Sequence, residues 1–186
     1  MKKKNILRII GGKFKNNKIH IKHSKKLRPT PNYIRETLFN WLQQYIQDSK
    51  CLDCFAGSGI LGIEAVSRHA KYVTSLEINK KNTKKIKKNL NRLKIKNIKV
   101  ICVNTINWLK KKKNQYDIIF LDPPYNNSIL LKKSIILLEK NKWTKKNTLI
   151  YIEKKMIQKN LKVPKNWIIK KEKNSKNIKY SIYLRK

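Results

Sequence analysis

Acidic residues are scarce in this chain. Ten Asp and Glu stand against 47 Lys and Arg, a formal charge of +37 over 186 residues. That imbalance excludes an acidic surface and favours a polyanionic partner, whose attraction would weaken as salt rises. Arginine is scarce as well, supplying six of the 47 basic residues. A lysine-dominated excess alongside abundant Asn and Ile also follows from codon drift in an A+T-rich genome, so the charge permits a nucleic-acid partner without requiring one. Cysteine is limited to Cys51, Cys54 and Cys102. An odd, small number excludes a disulfide framework and fits a reducing compartment. Long apolar runs are missing too: Ile118–Leu121 and Ile135–Leu138 are far below a membrane span. Behind the basic Met1–Lys4, only Ile6-Leu7 precedes Arg8, too little for a secretory core. The expectation is a soluble, cytoplasmic protein with no membrane partner.

What is present supports a folded domain. Apolar residues make up 40% of the chain, enough for a real core. The length suits one compact unit, read as an N-terminal extension over 1–47 and a main domain over 48–186. From about residue 49, strand and helix patterns alternate, the mark of a mostly parallel sheet covered on both faces. Strands are expected at Lys50–Cys54, Tyr72–Ile78, Ile98–Val103, Tyr116–Leu121 and Leu149–Glu153. Helices are expected at Gly57–His69, Lys80–Lys94, Ile106–Lys112 and Ser128–Lys140. Trp167–Lys171 and Ile178–Leu184 form an antiparallel pair at the end. Ahead of the core, Leu7–Ile10 and Lys18–Ile21 suggest a hairpin. Arg28-Pro29-Thr30-Pro31 breaks the chain, and Tyr33–Gln47 reads as an amphipathic helix with Ile34, Leu38, Trp41, Leu42 and Tyr45 on one side.

Three of only five glycines fall in Gly57-Ser58-Gly59-Ile60-Leu61-Gly62, between a strand and a helix. Glycine there lets backbone turn tightly and approach a ligand, with the free N–H groups of the helix start behind it. Alone, this is a dinucleotide-type fingerprint, and Glu77 stands about 20 residues on, where a ribose-binding acid belongs. Asp53 tilts the choice, standing before the loop with Phe55 after it. A carboxylate would repel a pyrophosphate but suits a cationic ligand such as the ammonium and sulfonium of S-adenosylmethionine. Glu77, followed by Ile78, is placed for ribose hydroxyls, and Asn104 with the Thr105 backbone for an adenine edge. Helix capping is the other reading of Asp53 and Asn104.

Asp122-Pro123-Pro124-Tyr125 follows the buried run Asp117–Leu121, at the strand end where open α/β sheets bind ligands. Two prolines fix the backbone and remove two donors, leaving carbonyls free to accept. An exocyclic amine on a base is a poor nucleophile because its lone pair is delocalised. A carboxylate on Asp122 and a carbonyl on Pro123 accepting its two N–H bonds would aim that lone pair at a methyl donor. Tyr125 would offer a face for the unstacked base. The plainer reading is a proline turn ending a strand; it loses weight beside the upstream glycine loop, Asp53 and Glu77. Cys51-x-x-Cys54 lacks the four ligands zinc needs, and a redox pair belongs at a helix start, so buried thiols are expected and no metal. His20, His23 and His69 have no ligand spacing. The lysines of Lys80–Lys94 read as a solvated helix face.

These residues resemble the RsmD family, bacterial guanine-N2 methyltransferases that modify guanine 966 of 16S ribosomal RNA. The resemblance runs through Arg8-Ile9-Ile10-Gly11-Gly12, Leu27–Thr30, Arg35–Trp41, Leu52–Gly59 and Asp122–Tyr125, nearly the whole chain. It implies a class I S-adenosylmethionine-dependent methyltransferase fold, α/β and Rossmann-like, with seven strands, the last antiparallel. It also implies a 16S RNA target in a partly or fully assembled small subunit, with Arg28, Thr30 and Arg35 near the cofactor and the RNA approach. Lys13 and Lys15 join Arg28 and Arg35 as the RNA-facing residues, Thr30 joins the cofactor set, and a monomer suffices. Lysine saturation and the extra Lys2–Asn5 start depart from the family pattern and bear on the RNA-facing surface. Two other functions fit parts of the pattern: a DNA adenine or cytosine amino-methyltransferase, and a basic ribosome-assembly protein with a vestigial cofactor pocket. A nicotinamide enzyme is the weakest alternative.

Overall fold

A computed structural model describes residues 6–21, 29–111, 115–124, 127–156 and 161–186. After a hairpin of β1 (Ile6–Arg8) and β2 (Lys18–His20) comes α1 (Asn32–Trp41). The main layer then alternates β3 (Lys50–Asp53), α2 (Ile60–Ser67), β4 (Tyr72–Glu77), α3 (Lys80–Arg92), β5 (Ile98–Cys102), α4 (Thr105–Leu109), β6 (Tyr116–Leu121), α5 (Ser128–Lys140) and β7 (Thr144–Lys155). It closes with β8 (Trp167–Ser175) and β9 (Ile178–Arg185). Seven strands form one sheet in the order β5-β4-β3-β6-β7-β9-β8, parallel from β5 to β7, with β9 antiparallel to both its neighbours. This is the expected seven-stranded α/β architecture.

The period-2 alternation of the strands sorts side chains into two cores. Cys51, Val73, Ile118, Phe120, Leu149, Tyr151, Tyr180 and Ile182 point to the face carrying α1, α2, α3 and the hairpin. Leu52, Leu76, Ile119, Leu121, Ile150, Ile152 and Tyr183 point to the face carrying α4 and α5, under Trp143 and Trp167. Strands buried on both faces read as unbroken apolar runs, which is why Tyr116–Leu121 matches its expected bounds; Ser128–Lys140 matches because α5 buries Leu131, Ser134, Ile135 and Leu138 at helical spacing.

Glycine sets where α2 begins. Gly59 stands at φ 78, and a Cβ there would lie 2.9 Å from Ile86 Cγ2. Gly62 lets α2 settle onto the sheet, since a Cβ would meet Ser75 Oγ at 2.9 Å. Asn79 starts α3 by accepting from the Lys81 and Asn82 N–H groups, and the helix buries Thr83, Ile86, Asn89 and Leu90 at helical spacing.

Several element bounds differ from expectation: α2 starts three residues late, at Ile60, and β8 runs on through polar residues to Ser175. Helix α1 stops at Trp41 instead of running to Gln47, because Gln43 and Tyr45 bond three residues back and Asp48 takes a positive φ. Strand β7 starts five residues before Leu149. Thr148 Oγ1 donates to the Tyr116 carbonyl at 2.7 Å and accepts from Lys145 N–H, holding the polar Lys145–Asn147 bulge in which Asn147 takes a positive φ and the register shifts.

The N-terminal hairpin is fastened to α2 through one buried pair. Arg35 Nη1 lies 2.7 Å from Glu64 Oε1, both side chains without exposed surface. Glu64 also accepts the Ile10 N–H at 2.6 Å, and Arg35 donates to the Arg8 carbonyl. Ser67 Oγ donates to the Gly11 carbonyl and accepts from Phe14 N–H. At the hairpin's other end, Asn89 takes the His20 N–H and returns a bond to its carbonyl. Among the described residues no helix is long and apolar enough to cross a membrane.

Candidate active site

Parallel strands deliver their carboxyl ends to one edge, and four of the ten acidic residues collect there. Asp53 ends β3, Glu77 ends β4, Asp122 follows β6, and Glu153 lies in β7 one position past Ile152, the partner of Leu121. Asp53 pairs with Ser75 in register, and alternation turns Asp53, Glu77 and Glu153 to the α1–α2 face. None of the ion pairs among the described residues involves Asp53, Glu77 or Asp122. A chain of charge +37 thus gathers four of its ten carboxyl groups at one edge.

The glycine loop closes over this edge. Gly57 N–H donates to Glu77 Oε2 and Asn79 N–H to Oε1, both at 2.7 Å, so two backbone donors fix the carboxylate. Burial pushes the Glu77 carboxyl up, against those two N–H groups. Asp53 is 2% exposed, and its Oδ2 is buried without a hydrogen-bond partner. Burial pushes the Asp53 carboxyl up to about 7; the Phe55 and Gly62 N–H groups oppose that rise and the charge of Glu77 adds to it. Ser58 Oγ accepts from Ile60 N–H, and half-buried Phe55 packs on the second core. Ile78 is 67% exposed at the rim. Asn104 takes the capping role: its Oδ1 accepts from Asn107 N–H at 3.1 Å, which leaves its amide nitrogen to meet a ligand. Thr105 Oγ1 donates to the Cys54 carbonyl, tying α4 to the loop.

Thr30 Oγ1 donates to Asp122 Oδ2 at 3.0 Å. Burial pushes the Asp122 carboxyl well above its usual range, and the charges of Glu153 and Asp53 push the same way, while the Thr30 bond pulls it down. Asn127 N–H takes the Pro124 carbonyl at 3.0 Å. The Pro123 carbonyl accepts no backbone N–H among the described residues. Tyr125 and Arg28 lie outside the described residues.

Other expected residues sit elsewhere. Arg35 was expected to face RNA; instead its side chain is fully buried and bonded to Glu64, Asn32 and the Arg8 carbonyl, so it cannot touch a polyanion. Lys13 and Lys15 are exposed but lie by Ser67, at the end of α2 opposite the glycine loop. Eight helical residues put them about 12 Å from the loop. Cys51 and Cys54 point into opposite cores, and burial lifts the Cys51 thiol to about 12. Glu153 was missed. Its signal was a lone acid ending an apolar run, whereas Asp53 and Glu77 were marked by their spacing from the glycine loop.

Known proteins share this architecture and much of this sequence. A family described as "Conserved hypothetical protein 95" matches residues 7–184. The ribosomal RNA small subunit methyltransferase D of Buchnera aphidicola subsp. Baizongia pistaciae is 56% identical over 180 residues, covering 96% of this chain and 91% of that one. This chain belongs to the RsmD family. An RsmD relative of the same name from Escherichia coli K12 is 42% identical over 179 residues, 96% of this chain and 90% of that one. The solved yhhF protein of Escherichia coli is 40% identical and superposes with a TM-score of 0.92, covering 97% of this chain and 98% of that one. RsmD membership makes this chain a methyltransferase.

Proposed function

We propose that this chain transfers a methyl group from S-adenosylmethionine to the exocyclic N2 amine of guanine 966 in 16S ribosomal RNA. The observation that carries the proposal is Asp122, presented just past a buried strand with one oxygen held by Thr30. Its family places small-subunit ribosomal RNA in the names of the relatives.

The residues present fit the methyl donor. Asp53 Oδ2 is a buried carboxylate oxygen with no partner, suited to a cationic group. Gly57 and Gly59 both hold positive φ, so backbone passes close to the ligand with no side chain between. Glu77 keeps lone pairs for ribose hydroxyls, and Ile78 and Asn104 flank the adenine position. When bound, S-adenosylmethionine supplies an electrophilic methyl on a sulfonium.

Asp122 and the Pro123 carbonyl accept the two N–H bonds of the target amine and pull its lone pair out of conjugation. Thr30 occupies Oδ2, which leaves Oδ1 for the amine. Because burial and Glu153 raise the proton affinity of Asp122, it is a better acceptor for the proton released from nitrogen. Tyr125 stacks on the extruded base. Residues 1–47 act as an extension clamped onto the domain of 48–186, and the protein works as a cytoplasmic monomer on partly or fully assembled small subunits, with no metal. Incubation with methyl-labelled cofactor and unmodified small subunits, followed by mapping, tests the proposal. Label at guanine N2 that vanishes in Asp122→Ala supports it. Label on duplex DNA instead, or full activity in Asp122→Ala, defeats it.

A further inference from the structure

The sign of charge reverses along the carboxyl edge of the sheet. From β4 through β3 and β6 to β7 the edge carries Glu77, Asp53, Asp122 and Glu153. Beyond Glu153 it turns basic. Lys155 pairs with Ile178, which pairs with Ser175, and Lys173 pairs with Tyr180, which pairs with Glu153. Lys176 sits in the two-residue turn between β8 and β9, and Met156 N–H donates to the Asn177 carbonyl at 2.9 Å, fixing that turn against the end of β7. Lys173 and Lys176 are exposed and Lys155 half-buried. On the same face, Tyr33 in the first turn of α1 is 45% exposed, and its hydroxyl accepts from Ser175 Oγ at 3.0 Å.

We infer that this strip, Tyr33 with Lys155, Lys173 and Lys176, is where the RNA strand flanking the target nucleotide docks. The inference rests on the rRNA reading above and adds the surface it uses. Direction follows from the site. The glycine loop and Glu77 put the methyl donor on the β4–β3 side of Asp122, so the acceptor must arrive from the β7–β9–β8 side for donor, methyl and amine to align. Three strand spacings of about 4.8 Å set the β8 lysines roughly 14 Å from Asp122, within reach of phosphates next to an extruded base. A tethered, exposed ring beside lysines is the pairing that binds single-stranded nucleic acid: the ring stacks a base and the cations track the backbone. Lysine is abundant over the whole surface, but here it borders a stretch of the edge that carries only carboxyl groups, so a polyanion reaching Asp122 finds its cations on the strip.

The test is steady-state methylation of unmodified small subunits over a range of salt. Lys155→Gln/Lys173→Gln/Lys176→Gln should raise KM about tenfold or more and lower the slope of log KM against log salt by about two to three, one per lost phosphate contact. Its kcat and S-adenosylmethionine affinity should be unchanged. Tyr33→Ala should raise KM about tenfold with no change in slope, and Tyr33→Phe should keep wild-type KM because the ring remains. As a control, Lys84→Gln/Lys87→Gln/Lys88→Gln on the outer face of α3 should keep the wild-type slope. A strip variant with wild-type KM and slope, or an α3 variant with an equal loss, overturns the surface alone. A wild-type protein that leaves small subunits unmethylated overturns the rRNA reading and the surface together.

Discussion

Thr30 and Asp122 are 92 positions apart in sequence and share a hydrogen bond of 3.0 Å between Oγ1 and Oδ2. The bond ties the segment ahead of α1 to the turn that ends β6. It also occupies one carboxylate oxygen and leaves the other, so the N-terminal extension reaches into the proposed catalytic site.

Removing that hydroxyl should shift the pH dependence of methyl transfer. The Thr30 bond lowers the Asp122 pKa against burial and Glu153. In Thr30→Val the pKa rises, the ionised fraction at neutral pH falls, and the acid limb of the single-turnover pH–rate profile moves to higher pH. On that acid limb the rate should drop several-fold, and Thr30→Ser should restore both. An unshifted acid limb in Thr30→Val would refute this role.

Asp53 should trade stability for ligand affinity. Its carboxyl is raised from 3.8 to about 7 in the folded chain. Between those values the folded state keeps a proton that the unfolded state has lost, so this group's contribution to stability falls as pH climbs from about 4 to 7 and is flat above. Asp53→Asn should therefore melt higher than wild type at pH 8, by about 2–4 kcal/mol in free energy. A cationic ligand prefers the ionised form, so wild-type affinity for S-adenosylmethionine should strengthen on going from pH 6 to pH 8. The Asn variant should bind weakly at both. Scanning calorimetry and titration calorimetry read the two effects separately.

Breaking the Arg35–Glu64 pair should loosen the extension. Arg35→Met leaves the Glu64 carboxylate buried with its main partner gone, a loss of about 3–5 kcal/mol in urea unfolding. Arg35→Met with Glu64→Leu should recover much of that loss. If the single variant unfolds at the wild-type urea midpoint, the pair is not what clamps the hairpin.

Legibility in the sequence followed the physics of each signal. The strands and helices of the core showed through because two-sided burial forces apolar runs, as at Tyr116–Leu121. Asp53 and Glu77 showed through their spacing from the glycine loop, and Asp122 through the two prolines that follow it. Glu153 ends an apolar run with no such neighbour, and the Lys154-Lys155 that follows it reads as ordinary surface. Arg35 misled because arginine in a basic chain suggests a polyanion, and its partner Glu64 is 29 residues away on another helix. Nothing local announces such a pair. The start of β7 was hidden by the polar Lys145–Asn147 bulge, held in place through a tertiary bond from Thr148. The Asn104 cap and the adenine-edge reading look identical in sequence, and only the position of Asn107 N–H assigns its carbonyl.

The three cysteines lead to a practical consequence. Cys51 and Cys54 are fully buried in opposite cores with thiols driven far from ionisation, and Cys102 alone is exposed, at the end of β5 in register with Glu77. A thiol-reactive dye added to the untouched wild-type protein therefore attaches at one position. That position is beside Glu77, on the rim of the proposed donor pocket, so the molecule arrives with a built-in attachment point for a fluorescent reporter of ligand occupancy.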